Sequence, residues 1–211
     1  MKLREHIFQA MRADAIPEGA SGPWSVCKWS IAKSLVAPRG TGRSVTIPPG
    51  SYTNLFCLTE ATMHQPPGEL VMHDEPHELA KHLQFILKAE GRVLKTGLGL
   101  GCVVRGLLLN PRVTEVVVLE RDQHVLKLVA PHMLKERLKI VHAEAVAWCQ
   151  ETSERFDCAW HDIWTDESAG EGHLAFAHQK LLKAMKGKVR FQGAWEFPRE
   201  FRRLLQPVGV I

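Results

Sequence analysis

The 211-residue chain has few cysteines, no long apolar run and none of the compact nucleophile or metal motifs. Five cysteines (Cys27, Cys57, Cys102, Cys149, Cys158) make an odd number with no CxxC spacing, which excludes a disulfide framework and a zinc ribbon and points to reduced thiols, mostly in the core. The longest apolar run, Gly97 to Val104, falls far short of the 18 or more residues of a membrane span. The opening residues MKLREHIFQAMRAD lack the apolar stretch of a signal peptide, so a cytoplasmic protein is expected. No GxSxG is present, which removes the serine-elbow hydrolases. Eleven histidines invite a metal reading, but His73 and His77 are separated by Pro76 and a helix start, and no Cys/His/Asp cluster of ligand spacing accompanies them. No metal is expected. Internal repeats and low-complexity tracts are also missing.

What is present is the balance of a globular protein: 45% hydrophobic, 24% charged, net +4 from 27 basic and 23 acidic residues. The surplus is uneven. Residues 1–90 hold nine charges of each sign, whereas from Lys180 onward eight Lys/Arg face two Glu. Interleaved with Phe191, Trp195, Phe197 and Phe201, this basic segment reads either as a nucleic-acid surface or as a solvated face with lysines near a helix C-terminus.

Residues 1–70 are broken by prolines and glycines. They allow one helix, about Leu3 to Ala13, and short strands at Trp24–Ile31, Ser44–Ile47 and Asn54–Thr59. This β-rich region has too little apolar surface to stand alone and is expected to pack on the rest of the chain. From residue 71 the pattern turns regular. Asp74 is placed to cap a helix carrying Leu79, Leu83, Ile86 and Leu87, and strands then alternate with helices. The strands are Val93–Thr96, Glu115–Leu119, Leu138–His142, Phe156–Asp162 and Val189–Gly193. The helices are Cys102–Leu109, Asp122–Leu134, Ala145–Cys149, Glu171–Met185 and a last one near Pro198–Leu205. Five apolar strands interleaved with helices predict a parallel sheet covered on both faces.

The chemistry concentrates at strand ends. Val93-Leu94-Lys95-Thr96-Gly97-Leu98-Gly99-Leu100-Gly101 is a strand running into three alternating glycines and a helix, a turn that either admits a nucleotide-like ligand to the backbone or simply packs tightly. A dinucleotide fingerprint needs its third small residue one place later, which argues against NAD. The next strand ends at Glu120, 23 residues after Gly97, where a carboxylate can accept hydrogen bonds from both ribose hydroxyls. The third strand ends in Val141-His142-Ala143-Glu144-Ala145, and the fourth carries Trp160-His161-Asp162.

This order of motifs resembles the class I S-adenosylmethionine-dependent methyltransferases, and within them the spermidine-synthase-like branch. That branch is similar at Asp74-Glu75-Pro76-His77-Glu78 and at Phe156 to Asp162. The segments Ala159–Trp164 and Phe191–Trp195 also resemble short methyltransferase-fold proteins of phages and prophages. The resemblance covers about residues 70–195. It implies a Rossmann-like sheet, S-adenosylmethionine as cofactor, Gly97, Gly99 and Gly101 against its methionyl and ribose parts, Glu120 on the ribose, and Glu144, beside Ala145, at the adenine amino group. Glu144 departs from the aspartate usual there. Leu98 and Leu100 replace polar residues of the spermidine synthases, which counts against decarboxylated S-adenosylmethionine. Asp162 matches the carboxylate that helps deprotonate an attacking amine in the aminopropyltransferases, with His161 or Asp166 as partners. Strand alternation turns His161 away from Trp160 and Asp162, so His161 is either catalytic at the strand's end or a packed residue. Trp160, Trp164 and Trp195 either wall a substrate pocket or belong to the core.

The sequence thus leads to an α/β fold of Rossmann-like methyltransferase type, mostly parallel and ending after its fifth strand, in residues 71–211, with a β-rich cap at 1–70 that covers the site or makes a homodimer contact. The expected activity is methyl transfer to an unidentified acceptor. A polyamine-type aminopropyl transfer and a non-catalytic cofactor-binding protein are the alternatives. The missing Pro-Cys pair and Asp/Asn-Pro-Pro-aromatic box lower nucleic-acid base methylation as the reaction.

Overall fold

Alternating burial and hydrogen-bonded pairing turn the proline-rich first third into two small antiparallel sheets. In the computed structural model, which describes residues 2–39, 43–59, 62–64, 66–163 and 171–195, helix α1 (Leu3–Ala10) precedes β1 (Gly19–Ser21), β2 (Trp24–Ile31), β3 (Leu35–Arg39), β4 (Arg43–Ile47), β5 (Gly50–Cys57) and β6 (Glu69–His73). Strands β1-β2-β5-β6 form one sheet in that order, and β3-β4 form a separate ribbon. β6 was not legible in the sequence. It pairs with β5 across a bulge at Leu55/Phe56, so its own alternation is weak. The N-terminal sheet therefore runs to His73, past residue 70.

The second part holds α2 (Pro76–Lys88), β7 (Gly91–Thr96), α3 (Cys102–Leu109), β8 (Val113–Glu120), α4 (Gln123–Val129), β9 (Leu138–His142), α5 (Ala145–Glu151), β10 (Phe156–His161), α6 (Glu171–Ala184) and β11 (Val189–Ala194). The five strands make one parallel sheet in the order β11-β10-β7-β8-β9. Counted from β7 this is 3-2-1-4-5, the doubly wound Rossmann-like order, with its reversal of direction between β7 and β10. The helix expected near Pro198–Leu205 lies outside the described residues. No helix among the described residues is long and apolar enough to cross a membrane.

Successive residues of each strand feed opposite layers. Val93, Val116, Val118, Cys158 and Trp160 join the larger cluster with α1, α2, α3 and the N-terminal sheet, while Leu94, Val117, Leu119 and Ala159 join the smaller one with Cys149, Leu181 and Met185. Four of the five thiols are buried, and burial pushes those of Cys102 and Cys149 up to about 12.

Two local expectations are corrected. Asp74 does not cap α2, whose N-cap is Glu75 with Pro76 in the first turn. Instead the fully buried Asp74 carboxylate accepts the amides of Ala13 (2.9 Å) and Thr53 (2.8 Å) and Arg12 Nε (3.0 Å), joining α1, β5 and the start of α2. α4 stops at Val129 rather than Leu134, because Pro131 converts the chain to a single 3-10 turn over Ala130–His132.

Candidate functional site

The parallel order puts the carboxyl ends of β7 and β10 side by side at the switch point, where open α/β sheets hold ligands. Gly97 ends β7 with φ +79°, and a Cβ there would lie 2.2 Å from the Asp162 carbonyl oxygen. Gly99 has φ +52°, and its Cβ would meet Met72 Sδ at 2.5 Å. Only glycine combines these conformations with such close approach. Leu98 and Leu100 are buried in the larger apolar cluster, which explains why the turn carries leucines between its glycines.

Glu120, at the tip of β8, holds the turn from the other side. Its Oε2 accepts the Leu98 amide at 2.8 Å and its Oε1 the Asp122 amide at 2.9 Å, leaving lone pairs on both oxygens for further donors. Asp122 caps α4 and also accepts Trp24 Nε1 at 2.6 Å, which pins the N-terminal sheet to this end. Glu144 caps α5, accepting the amides of Val146 (3.0 Å) and Ala147 (2.6 Å).

These groups border a cavity of about 980 Å³. Gly97, Gly99, Glu120, Glu144, Ala145 and Asp162, six of the residues singled out in the sequence, line it. Leu119 to Asp122, Val125 and Ala143 to Val146 line it from the ends of β8 and β9 and the helices that follow them. His73, Glu78, His82, Asp162, Ile163, Phe176, Lys180 and Trp195 line it from β6, α2, α6 and the ends of β10 and β11, on the other side of the switch point. The N-terminal sheet closes one wall with Trp24, Leu55 and all of β6. Asp166 and Trp164 lie outside the described residues.

Two of the expected site residues are not among the lining residues. Gly101 opens α3, with Met133 Sδ and Arg105 Nη1 at 2.6 and 3.2 Å from where its Cβ would be. His161 is fully buried inside the sheet, with Nδ1 3.3 Å from Thr96 Oγ1 and Nε2 donating to Gln192 Oε1 at 3.2 Å. Burial lowers its imidazole to about 3, so it is neutral. The alternation of β10 thus decides in favour of a packed His161. Trp160 also belongs to the core, against Phe85 (4.8 Å between ring centroids) and the edge of His82 (5.7 Å), whereas Trp195 does reach the cavity.

Lys95, inside β7, is a further charged group at this site. Its side chain is only 2% exposed, and its ammonium donates to the carbonyls of Thr96 (2.8 Å), Gly97 (2.7 Å) and Asp162 (3.2 Å) while lying 3.2 Å from Asp162 Oδ2. Burial raises the Asp162 carboxyl, but Lys95, with His82 and His178, outweighs it and holds the group below the ordinary aspartate value. His82, on the cavity beside Asp162, is pushed down by burial against the pull of Asp162 and Glu78. A buried lysine within a run of strand residues looks like any surface lysine in sequence; only its partners reveal it.

The fold also gathers His73, His77 and Glu78, which the intervening Pro76 had seemed to separate. Their donor atoms lie within 4.8 Å of one another. Glu78 meanwhile accepts Trp195 Nε1 at 2.7 Å and pairs with Lys81 at 2.8 Å. The basic segment is partly engaged as well: Lys188 donates to the carbonyls of Cys149 and Gln150, Arg190 pairs with Asp157 and Glu90, and Phe191 stacks on Phe85.

No protein-family model matches the chain, and no curated protein sequence matches it. Among solved structures, the spermidine synthase of Thermotoga maritima aligns over 85% of this chain and 55% of its own, with 17% identity and a TM-score of 0.48. A spermidine synthase in complex with the transition-state analogue AdoDATO aligns over 82% and 54%, with 19% identity and a TM-score of 0.49. The N-methyltransferase NodS of Bradyrhizobium japonicum aligns over 51% and 60%, with 14% identity and a TM-score of 0.41. The chain spans just over half the length of the spermidine synthases.

Proposed function

We propose that the protein is an S-adenosylmethionine-dependent methyltransferase acting on an acceptor held at the Asp162 end of the cavity. The observation that carries this reading is the joining of three features on one cavity: a glycine turn whose Gly97 and Gly99 line it, the Glu120 carboxylate at the neighbouring strand tip, and lining that continues past Asp162 to Ile163, Phe176 and Trp195.

The residues present fit such a cofactor. Gly97 and Gly99 line the cavity with no side chain in the way, and Glu120 keeps acceptor capacity for the two ribose hydroxyls. Val125, Ala145 and Val146 supply an apolar slot for the adenine, and Glu144 stands at its edge while also capping α5. When bound, such a cofactor would supply an electrophilic methyl group carried on a sulfonium. The protein's share of the chemistry is alignment: the turn and Glu120 orient one partner, and Asp162, Ile163, Phe176 and Trp195 bound the space of the other. The N-terminal sheet, through His73, acts as the cap of this site, and the parallel sheet with its helices from Pro76 onward acts as the cofactor domain.

Calorimetry with S-adenosylmethionine tests the reading directly. Saturable binding, followed by release of labelled S-adenosylhomocysteine in the presence of cell-extract fractions, is the expected result. Binding without turnover in any fraction favours the non-catalytic alternative, and no binding overturns both.

A further inference from the structure

At the acceptor end, the charges pair off in the described residues. Asp162 is paired with Lys95, and Glu78 with Lys81, whose ammonium also lies 5.1 Å from the centre of the Trp195 ring. Lys180 adds a positive charge, 4.5 Å from the centre of the Phe176 ring. The remaining lining carboxylate of the N-terminal wall, Glu69, pairs in register with Cys57 at the opposite end of β6, beside Trp24. The imidazoles facing Asp162 are His82 from α2, with Glu78 behind it, and His178 from α6. Both are held towards the neutral form by burial.

We propose that Lys95 determines the acceptor class: by occupying Asp162 it fits the acceptor end of the cavity to an uncharged or anionic nucleophile and closes it to cationic amines of the polyamine kind. The argument is electrostatic and geometric. An alkylammonium acceptor needs a carboxylate whose charge is not already matched, and a base to take its proton. Lys95 reaches Asp162 Oδ2 at 3.2 Å and is fixed there by three backbone carbonyls, so the pairing does not depend on a flexible surface contact. An amine entering the site meets a neutral pair rather than a free carboxylate, and a carboxylate stabilised as the anion is a weak base. An uncharged acceptor has its lone pair free without prior loss of a proton and needs no carboxylate partner, and an anionic one gains further from Lys180. Lys95 is therefore a positioning residue that acts through Asp162.

This inference rests on the transferase reading only for the identity of the end that receives the acceptor, and its test separates the two. Putrescine and spermidine are titrated calorimetrically into the protein with and without saturating S-adenosylhomocysteine, in wild type, Lys95→Met and the double variant Lys95→Met/Asp162→Asn. Lys95→Met should bind putrescine at least about tenfold more tightly than wild type, a change of about 1.4 kcal/mol, and the double variant should lose the gain. Equal putrescine affinity in wild type and a folded Lys95→Met overturns the proposal. Carbon-13 titration of the Asp162 carboxyl in wild type decides the matter even where Lys95→Met does not fold. A carboxyl titrating below the ordinary aspartate value is expected, and one at or above it overturns the proposal. The transferase reading fails by a different sign, the absence of any S-adenosylhomocysteine heat, which leaves the amine comparison and the carboxyl titration interpretable.

Discussion

Glu120 and Leu98 are joined across two adjacent parallel strands: the carboxylate at the tip of β8 accepts the amide of the residue that follows Gly97, at 2.8 Å. The same carboxylate accepts the Asp122 amide at 2.9 Å, so one buried side chain fixes the glycine turn and the start of α4 together. A group placed this way shapes the cavity before any ligand arrives.

Glu120→Ala is accordingly expected to act twice. Two backbone amides lose their acceptor, which costs about 1–3 kcal/mol in unfolding free energy by urea titration. Affinity for S-adenosylmethionine should fall at least about tenfold by calorimetry. Wild-type affinity in a folded Glu120→Ala protein removes this carboxylate from the binding site.

Alanine at Gly97 and at Gly99 should have unequal effects. Each forces a side chain into a left-handed conformation, at about 1–2 kcal/mol. At Gly97 the added Cβ also meets the backbone oxygen of Asp162, 2.2 Å away, which cannot move without shifting the end of β10. At Gly99 it meets Met72 Sδ at 2.5 Å, an atom able to swing aside. Thermal melts should show the larger loss for Gly97→Ala; a larger loss at Gly99 contradicts this account.

Asp74→Ala should loosen the N-terminal helix from the body. It removes one of two carboxylate partners of Arg12, which keeps Asp14 at 3.1 Å, and the acceptor of the Ala13 and Thr53 amides from a site with no solvent access. Breaking a buried pair costs about 3–5 kcal/mol, and the lower end applies because Arg12 is 20% exposed. Hydrogen exchange localises the effect: faster exchange in α1 and β5, with β8 little changed, is the predicted pattern.

His161 makes stability pH-dependent in a direction that can be worked out. Its folded value of about 3 lies below the unfolded value near 6.5, so between these the unfolded chain binds a proton that the native protein does not. Stability therefore falls as the pH is lowered from about 6.5 towards 3, at about 1.4 kcal/mol per pH unit for one such group. His82 and His178, also lowered by burial, add slopes of the same sign. Urea titrations at pH 7.5 and 5 check this. His161→Gln should reduce the pH dependence by about one proton, and an unchanged slope rules His161 out as a contributor.

Much of the fold was legible because its signals are local. The boundaries of β2, α3 and β9 follow from the sequence pattern, and the glycine turn with Glu120 at the next strand tip depends on spacing along one βαβ unit. The rest depends on partners far away in the chain. β6 exists as a strand only because β5 lies beside it, and Asp74, well placed by sequence to cap α2, is drawn instead to donors 21, 61 and 62 residues away. At a buried carboxylate, three donors outweigh the bond a helix cap would make.

The sequence by itself determined the parallel sheet, the position of the glycine turn and the carboxylates at the strand ends, since periodicity and spacing are properties of neighbouring residues. Only the tertiary structure decided what those groups are free to do. It set His161 inside the sheet and Asp162 on the cavity, and it brought the Lys95 ammonium to 3.2 Å from the Asp162 carboxylate. The physical reason is that a charge or a polar group taken out of water must find its partner in three dimensions, and that partner, more than the residue's own type, sets its chemistry.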